Sequence, residues 1–140
     1  MTDIKGKIAV VTGAGRGIGF ATVKSFLDEG MKVLATSRNT AALDAIDHDN
    51  LLVVAADLVD LSSMQKIVSE CVCHFGGLDV IINNAGYAKK ALLTQTTAAD
   101  FDLLQRSHVL PTILMYLIRI RYNVIVPKNR YINNTRVIQA

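Results

Sequence analysis

No acidic residue follows Asp102 in this 140-residue chain, and nothing in it resembles a membrane span. An apolar run of about 18 residues is the usual minimum for a spanning helix, and none occurs. The N-terminal Met1-Thr-Asp-Ile-Lys5 lacks the basic and then apolar layout of a secretory signal. Cysteine is scarce. Cys71 and Cys73 stand one residue apart, which suits neither a common zinc site nor a redox C-x-x-C pair. They read as small apolar fillers in a reducing compartment, so no metal site and a cytoplasmic location are expected. Asn133-Asn-Thr135 fits a glycosylation acceptor, but without a secretory signal it reads as coincidence. Proline is nearly absent too, with Pro111 and Pro127 the two examples.

The missing acid has a counterpart in an uneven charge distribution. Residues 1–102 carry nine Lys/Arg against twelve Asp/Glu, and residues 103–140 carry six Lys/Arg against none. The formal net charge of +3 therefore hides an acidic body and a basic tail. At 51% apolar and 19% charged residues, the body is that of a globular domain with a real core.

Lys7-Ile-Ala-Val-Val-Thr-Gly-Ala-Gly-Arg-Gly-Ile-Gly19 organises what is present. Ile8 to Val11 reads as a buried strand, the glycines as a turn, and Ile18 to Glu29 as a helix. Strand, glycine turn and helix together suit a dinucleotide pyrophosphate. Absent Cβ atoms let the backbone come close, and the helix N-terminus offers free N–H groups and a positive dipole end. Further strands are expected at Lys32–Thr36, Leu51–Ala56 and Leu78–Ile82, with helices at Thr40–Ile46, Ser62–Phe75 and from near Ala98. Val124–Val126 is a possible fifth strand. This alternation predicts an α/β fold, a Rossmann-type doubly wound parallel sheet shortened to about four or five strands. In such sheets ligands sit beyond the carboxyl ends of the strands. Thr12–Gly19, Ser37-Arg38, Asp57-Leu58 and Asn83–Gly86 are therefore the functional candidates.

Cofactor type is suggested after the second strand. An acid there would accept from a ribose 2′-hydroxyl. Ser37 and Arg38 stand there instead, and a guanidinium suits a 2′-phosphate. Arg16 supplies a second positive charge from the glycine turn. Asp57 is placed to accept from an adenine amino group, with Leu58 against the ring.

Thr12-Gly-Ala-Gly-Arg-Gly-Ile-Gly19 and Asn83-Asn-Ala-Gly86, each directly after an expected strand, resemble the short-chain dehydrogenase/reductase family from about Lys5 to Asp102 or a little beyond, the resemblance ending from about Ser107. The resemblance implies nicotinamide cofactor binding and oxidoreduction of a small carbonyl or alcohol. It implies that Gly13, Arg16, Gly17, Ile18, Gly19, Ser37, Arg38, Asp57, Leu58, Asn84, Ala85 and Gly86 hold the cofactor, and that Asn83 ties strands together. A basic residue before the second motif glycine and another after strand two, here Arg16 and Arg38, imply NADP(H). Family catalysis uses a serine after the fifth strand and a Tyr-x-x-x-Lys pair. None of the four tyrosines has a lysine four residues on: those positions are Ala91, Ile120, Val126 and Thr135. Catalytic residues are accordingly expected to be absent. Tyr87 and Lys90 are one residue too close and follow the wrong strand. The family's relay asparagine in the fourth helix corresponds to His108, with Pro111 where a glycine is common. Either His108 replaces a relay group or it is a half-buried structural histidine.

The expected division is a cofactor-binding domain over 1–106 and a divergent basic tail over 107–140. Tyr122 and Tyr131 lie among Arg119, Arg121, Lys128 and Arg130, too loosely to predict nucleic-acid binding. The tail reads either as unrelated sequence or as a basic segment for an acidic surface. A homo-oligomer is compatible with the resemblance.

Overall fold

A computed structural model of the chain describes residues 3–88, 91–121 and 131–133. The elements run β1 (Ile8–Thr12), α1 (Gly17–Asp28), β2 (Lys32–Ser37), α2 (Ala41–Asp44), β3 (Leu51–Ala55), α3 (Leu61–Phe75), β4 (Val80–Asn83), α4 (Ala98–Arg121) and β5 (Tyr131–Asn133), with a single 3-10 turn at Leu93–Gln95 before α4. The sheet is wholly parallel, in the order β3-β2-β1-β4-β5. Helices cover both faces, so this is the α/β Rossmann-type sheet expected.

Strand alternation divides the core in two. Ala9 and Val11 of β1 face the cluster of Val23, Leu27, Val33 and Ala35 under α1. Val10 between them faces Leu34, Met64, Ile67, Val68 and Met115 under α3 and α4. Strands buried on both sides carry continuous apolar runs, which is why IAVV and LLVV read as strands without a polar alternation.

The ends of α3 are set by chemistry local to it. Asp60 caps the first turn, accepting from the backbone N–H of Ser62 and Ser63 and from both hydroxyls. Those bonds, with the Ser62 hydroxyl first, hold its carboxyl below its ordinary range. Gly76 closes the helix at φ +84° with open space where a Cβ would stand. Gly76→Ala therefore adds left-handed strain without a clash. It is expected to destabilise the fold by about 1 kcal/mol, read as a small drop in denaturation midpoint with unchanged m.

Several boundaries differ from the sequence expectation. β4 starts at Val80, because Asp79 is occupied at the β1 start: its N–H donates to Ile8 O at 2.8 Å, and its carboxylate accepts from Ile8 N at 2.9 Å and pairs with Lys7 at 3.6 Å. β3 ends at Ala55, and α2 is a single turn. α4 runs unbroken from Ala98 to Arg121 through Pro111, so a division at 106/107 falls inside a helix. Proline removes one bond and costs about 3 kcal/mol in a helix interior. Burying Met115 completely returns about 1.5–3 kcal/mol, and Leu114 and Pro111 are also packed away. The outer edge of β4 is paired by β5, with Ile81 opposite Tyr131 and Asn83 opposite Asn133. The expected Val124–Val126 strand lies outside the described residues, as do Lys89, Lys90 and residues 122–130 and 134–140 of the basic tail. Cys71 is buried, and burial, followed by the nearby Asp79 charge, pushes its thiol up to about 12, which suits a packing role. Among the described residues no helix is long and apolar enough to cross a membrane.

Candidate functional site

The chain winds outward from β1 to β2 and β3, then returns to place β4 on the other side of β1. This reversal leaves a crevice at the carboxyl ends of β1 and β4, the usual ligand position in such sheets. A cleft of about 410 Å³ lies there.

Every strand end next to the crevice contributes to its wall. The β1 turn gives Gly13, Arg16, Gly17 and Ile18; β2 gives Thr36, Ser37 and Arg38; β3 gives Ala56, Asp57, Leu58 and Val59; β4 gives Asn84, Ala85, Gly86 and Tyr87. Ser107 of α4 completes it. Eleven of the twelve residues expected at the cofactor are thereby gathered into one cleft. Gly19 does not line it. It sits behind the wall, where a Cβ would come 2.5 Å from Asn84 Nδ2 and 2.6 Å from Gly13 O. Its missing side chain lets α1 approach the β1–β4 junction.

That junction is held by Thr12. Its hydroxyl donates to Ile82 O at 3.2 Å and accepts from Asn84 N at 3.1 Å and Ala85 N at 3.0 Å. Asn84 answers with Nδ2 donating to Thr12 O at 3.0 Å and Gly13 O at 3.1 Å. Gly13 must be glycine on two counts: φ is +64°, and a Cβ would stand 2.7 Å from Ala85 Cα. The β4 loop therefore lies directly on the glycine turn, and Ala14 N donates to Thr36 O at 2.9 Å to bind the turn to β2.

Electrostatically the cleft suits an anion. Arg16 occupies the N-cap of α1 in extended conformation, and no side chain caps the helix. The first N–H groups of α1 stay open at the positive dipole end. Arg16 and Arg38 are both exposed on the cleft wall, and Asp57 is the one acidic lining residue. Asp57 Oδ1 accepts from Val59 N at 3.1 Å, which fixes the loop after β3. Leu58 is 8% exposed, packed into the core beneath α3 with an edge on the cleft.

Thr36, Val59 and Ser107 were not legible as wall residues. Thr36 is 1% exposed and its hydroxyl has no hydrogen-bond partner among the described residues, although it borders the cleft. Its position as the penultimate residue of β2 was the available signal. Ser107 and His108 are brought to the site by α4, and no local pattern reports where a helix packs. His108 is half-buried, with Nε2 2.8 Å from Tyr87 O.

Residues 7–122 match the sequence pattern of the family described as short chain dehydrogenase. The match continues past Ser107, where the sequence reading ended the resemblance, and takes in all of α4. L-fucose dehydrogenase of Rattus norvegicus is 38% identical over 97 residues, covering 68% of this chain and 36% of the relative. An uncharacterized oxidoreductase of Staphylococcus haemolyticus is 30% identical over 133 residues, covering 91% of this chain and 54% of the relative. Among solved structures, a short-chain dehydrogenase from Streptomyces avermitilis superposes with a TM-score of 0.78 at 26% identity, over 84% of this chain and 45% of that one. The 3-ketoacyl-(acyl-carrier-protein) reductase from Brucella melitensis, complexed with NADH, gives a TM-score of 0.76 at 30% identity, over 81% and 48%. The chain thus spans about half the length of these relatives or less. By the extent of the family match and the agreement of the fold, the chain belongs to the short-chain dehydrogenase family of oxidoreductases.

Proposed function

We propose that these residues form the cofactor-binding half of an oxidoreductase that uses NADP(H) in preference to NAD(H) and interconverts a small carbonyl and alcohol. The observation that carries the cofactor choice is the pair of exposed arginines, Arg16 and Arg38, on one cleft wall, with no acid at the end of β2. The glycine turn and uncapped α1 fit a pyrophosphate, since backbone N–H groups and the dipole end favour its charge. Gly13 and Gly17 give the ligand close access to the backbone. Asn84, Ala85 and Gly86 border the ribose and nicotinamide end, and Asp57 with Leu58 borders the adenine end. When bound, the nicotinamide supplies or accepts hydride. The chain's own groups bind and orient it.

Proton transfer is another matter. A developing alkoxide needs a donor, and general acid catalysis of that kind contributes about 10²–10⁴-fold. The 140 residues contain no Tyr-x-x-x-Lys spacing, which favours binding without turnover by these residues alone. Tyr87 borders the cleft but leaves a strand, so it has no lysine one helical turn away. NADPH oxidation with a panel of ketones, quinones and sugars is expected at background rate. A rate well above background that vanishes in Gly17→Glu, which fills the pyrophosphate site, would overturn this reading.

A further inference from the structure

Gly15 stands in the middle of the turn after β1, yet its missing side chain answers to a different need from that of its neighbours. Gly13 and Gly17 sit at φ +64° and +58°, where other residues are strained. Gly15 lies outside that region of φ, so its backbone accepts alanine. Nor does Gly15 line the cleft. What excludes a side chain is the segment after β2. A Cβ on residue 15 would stand 2.5 Å from Asn39 O, 2.6 Å from Ser37 Oγ and 3.1 Å from Ser37 Cβ. The hydroxyl can rotate away, but the Asn39 carbonyl is backbone, so one of the two segments has to move. The turn is backed by the β4 loop, because a Cβ on Gly13 would already be 2.7 Å from Ala85 Cα. The segment 37–39 has room to yield: it is tied at its ends, with Ala56 N donating to Ser37 O at 3.1 Å and Ala41 N to Asn39 Oδ1 at 3.1 Å, but Arg38 and Asn39 are exposed between them. A side chain at residue 15 therefore pushes this segment outward, and Arg38 goes with it.

We propose that Gly15 is a positioning residue for cofactor choice: the space it leaves open seats the segment 37–39 on the glycine turn and so holds Arg38 on the same wall as Arg16, where a 2′-phosphate would lie. Its action is indirect and therefore selective. The pyrophosphate and the nicotinamide are common to both cofactors, and the residues that border them, Gly13, Gly17 and 84–86, belong to other segments. The 2′-phosphate belongs to NADP(H) alone. A guanidinium moved away from it loses charge-assisted hydrogen bonds, whose strength depends on a short and well-aligned approach.

The effect on binding rests on the cofactor reading above, whereas the seating of the segment does not. Two measurements on Gly15→Ala keep them apart. The first is the backbone amide chemical shifts of the ligand-free chain, expected to move at 37–41 and in the turn itself, with β4 amides as the unmoved reference. The second is parallel titration with NADPH and NADH, in the wild-type chain and in Arg38→Ala. Gly15→Ala is expected to weaken NADPH by about 10-fold, the lower end of the worth of one charge-assisted hydrogen bond, and to leave NADH within about twofold. In Arg38→Ala the same substitution is expected to change NADPH by less than about twofold, since the group it displaces is gone. Equal weakening of both cofactors, an undiminished NADPH loss in Arg38→Ala, wild-type NADPH affinity in Gly15→Ala, or unmoved amides at 37–41 would each overturn the proposal. A Gly15→Ala chain that no longer melts cooperatively would overturn it too, because the glycine would then serve the fold. If the wild type does not prefer NADPH, the cofactor reading fails and the selective role fails with it, while the amide shifts still judge whether Gly15 seats the segment.

Discussion

Arg38→Asp is expected to weaken NADPH binding by about 10- to 150-fold while leaving NADH binding intact or improved. The size follows from one charge-assisted hydrogen bond to phosphate, about 1.5–3 kcal/mol. The direction follows from placing a carboxylate where it repels a 2′-phosphate and can accept from a 2′-hydroxyl. Arg38 is exposed, so added salt should shrink the wild-type preference, because screening acts over about 10 Å at 0.1 M. Arg16 on the same wall should leave a residual preference in the variant. Parallel titrations with both cofactors measure this. Equal loss for NADPH and NADH would show that Arg38 acts on something other than the extra phosphate.

Thr12→Val is expected to be the most damaging change of similar shape, about 2–4 kcal/mol in unfolding free energy. The side chain is 1% exposed, and valine keeps its volume. What is lost is a hydroxyl serving Ile82 O, Asn84 N and Ala85 N together. A buried group left without its partner costs about 1–3 kcal/mol, and these groups share one site, so their losses do not simply add. Domains of this kind are stable by only about 5–15 kcal/mol, so the change should be visible as a large fall in melting temperature. Cofactor affinity should fall with it, because Asn84 and Ala85 are wall residues. Thr12→Ser, which keeps the hydroxyl, should recover most of both. A Thr12→Val protein as stable as wild type would mean that the junction does not depend on this hydroxyl.

The sequence made the site legible wherever the chemistry was local. Val10 and Val54 lie in short apolar runs bounded by turns, and such runs report buried parallel strands. Gly13 and Gly17 mark a backbone path that other residues take up with strain. Ser37 and Arg38 are read at once when the strand before them is placed. The rest depended on contacts between distant segments. Asp79 is drawn to the β1 start by Ile8 and Lys7, and this shifts where β4 begins. Pro111 argues locally against a helix, but Met115 one turn later is buried well enough to carry α4 through it. Ser107 reaches the cleft, and His108 the Gly86–Tyr87 loop, only because α4 packs beside β4. The abrupt charge change after residue 102 falls inside α4 and marks no break in its backbone.

Direct titration of the purified chain with NADPH and, separately, NADH tests the central claim, followed by near-ultraviolet circular dichroism and thermal melting in the same samples. The account predicts saturable binding of both, tighter for NADPH, with a melting temperature that rises as ligand is added, since a ligand that binds only the folded chain stabilises it. A cooperatively folded chain whose melting temperature and dichroism are unmoved by either cofactor would contradict it.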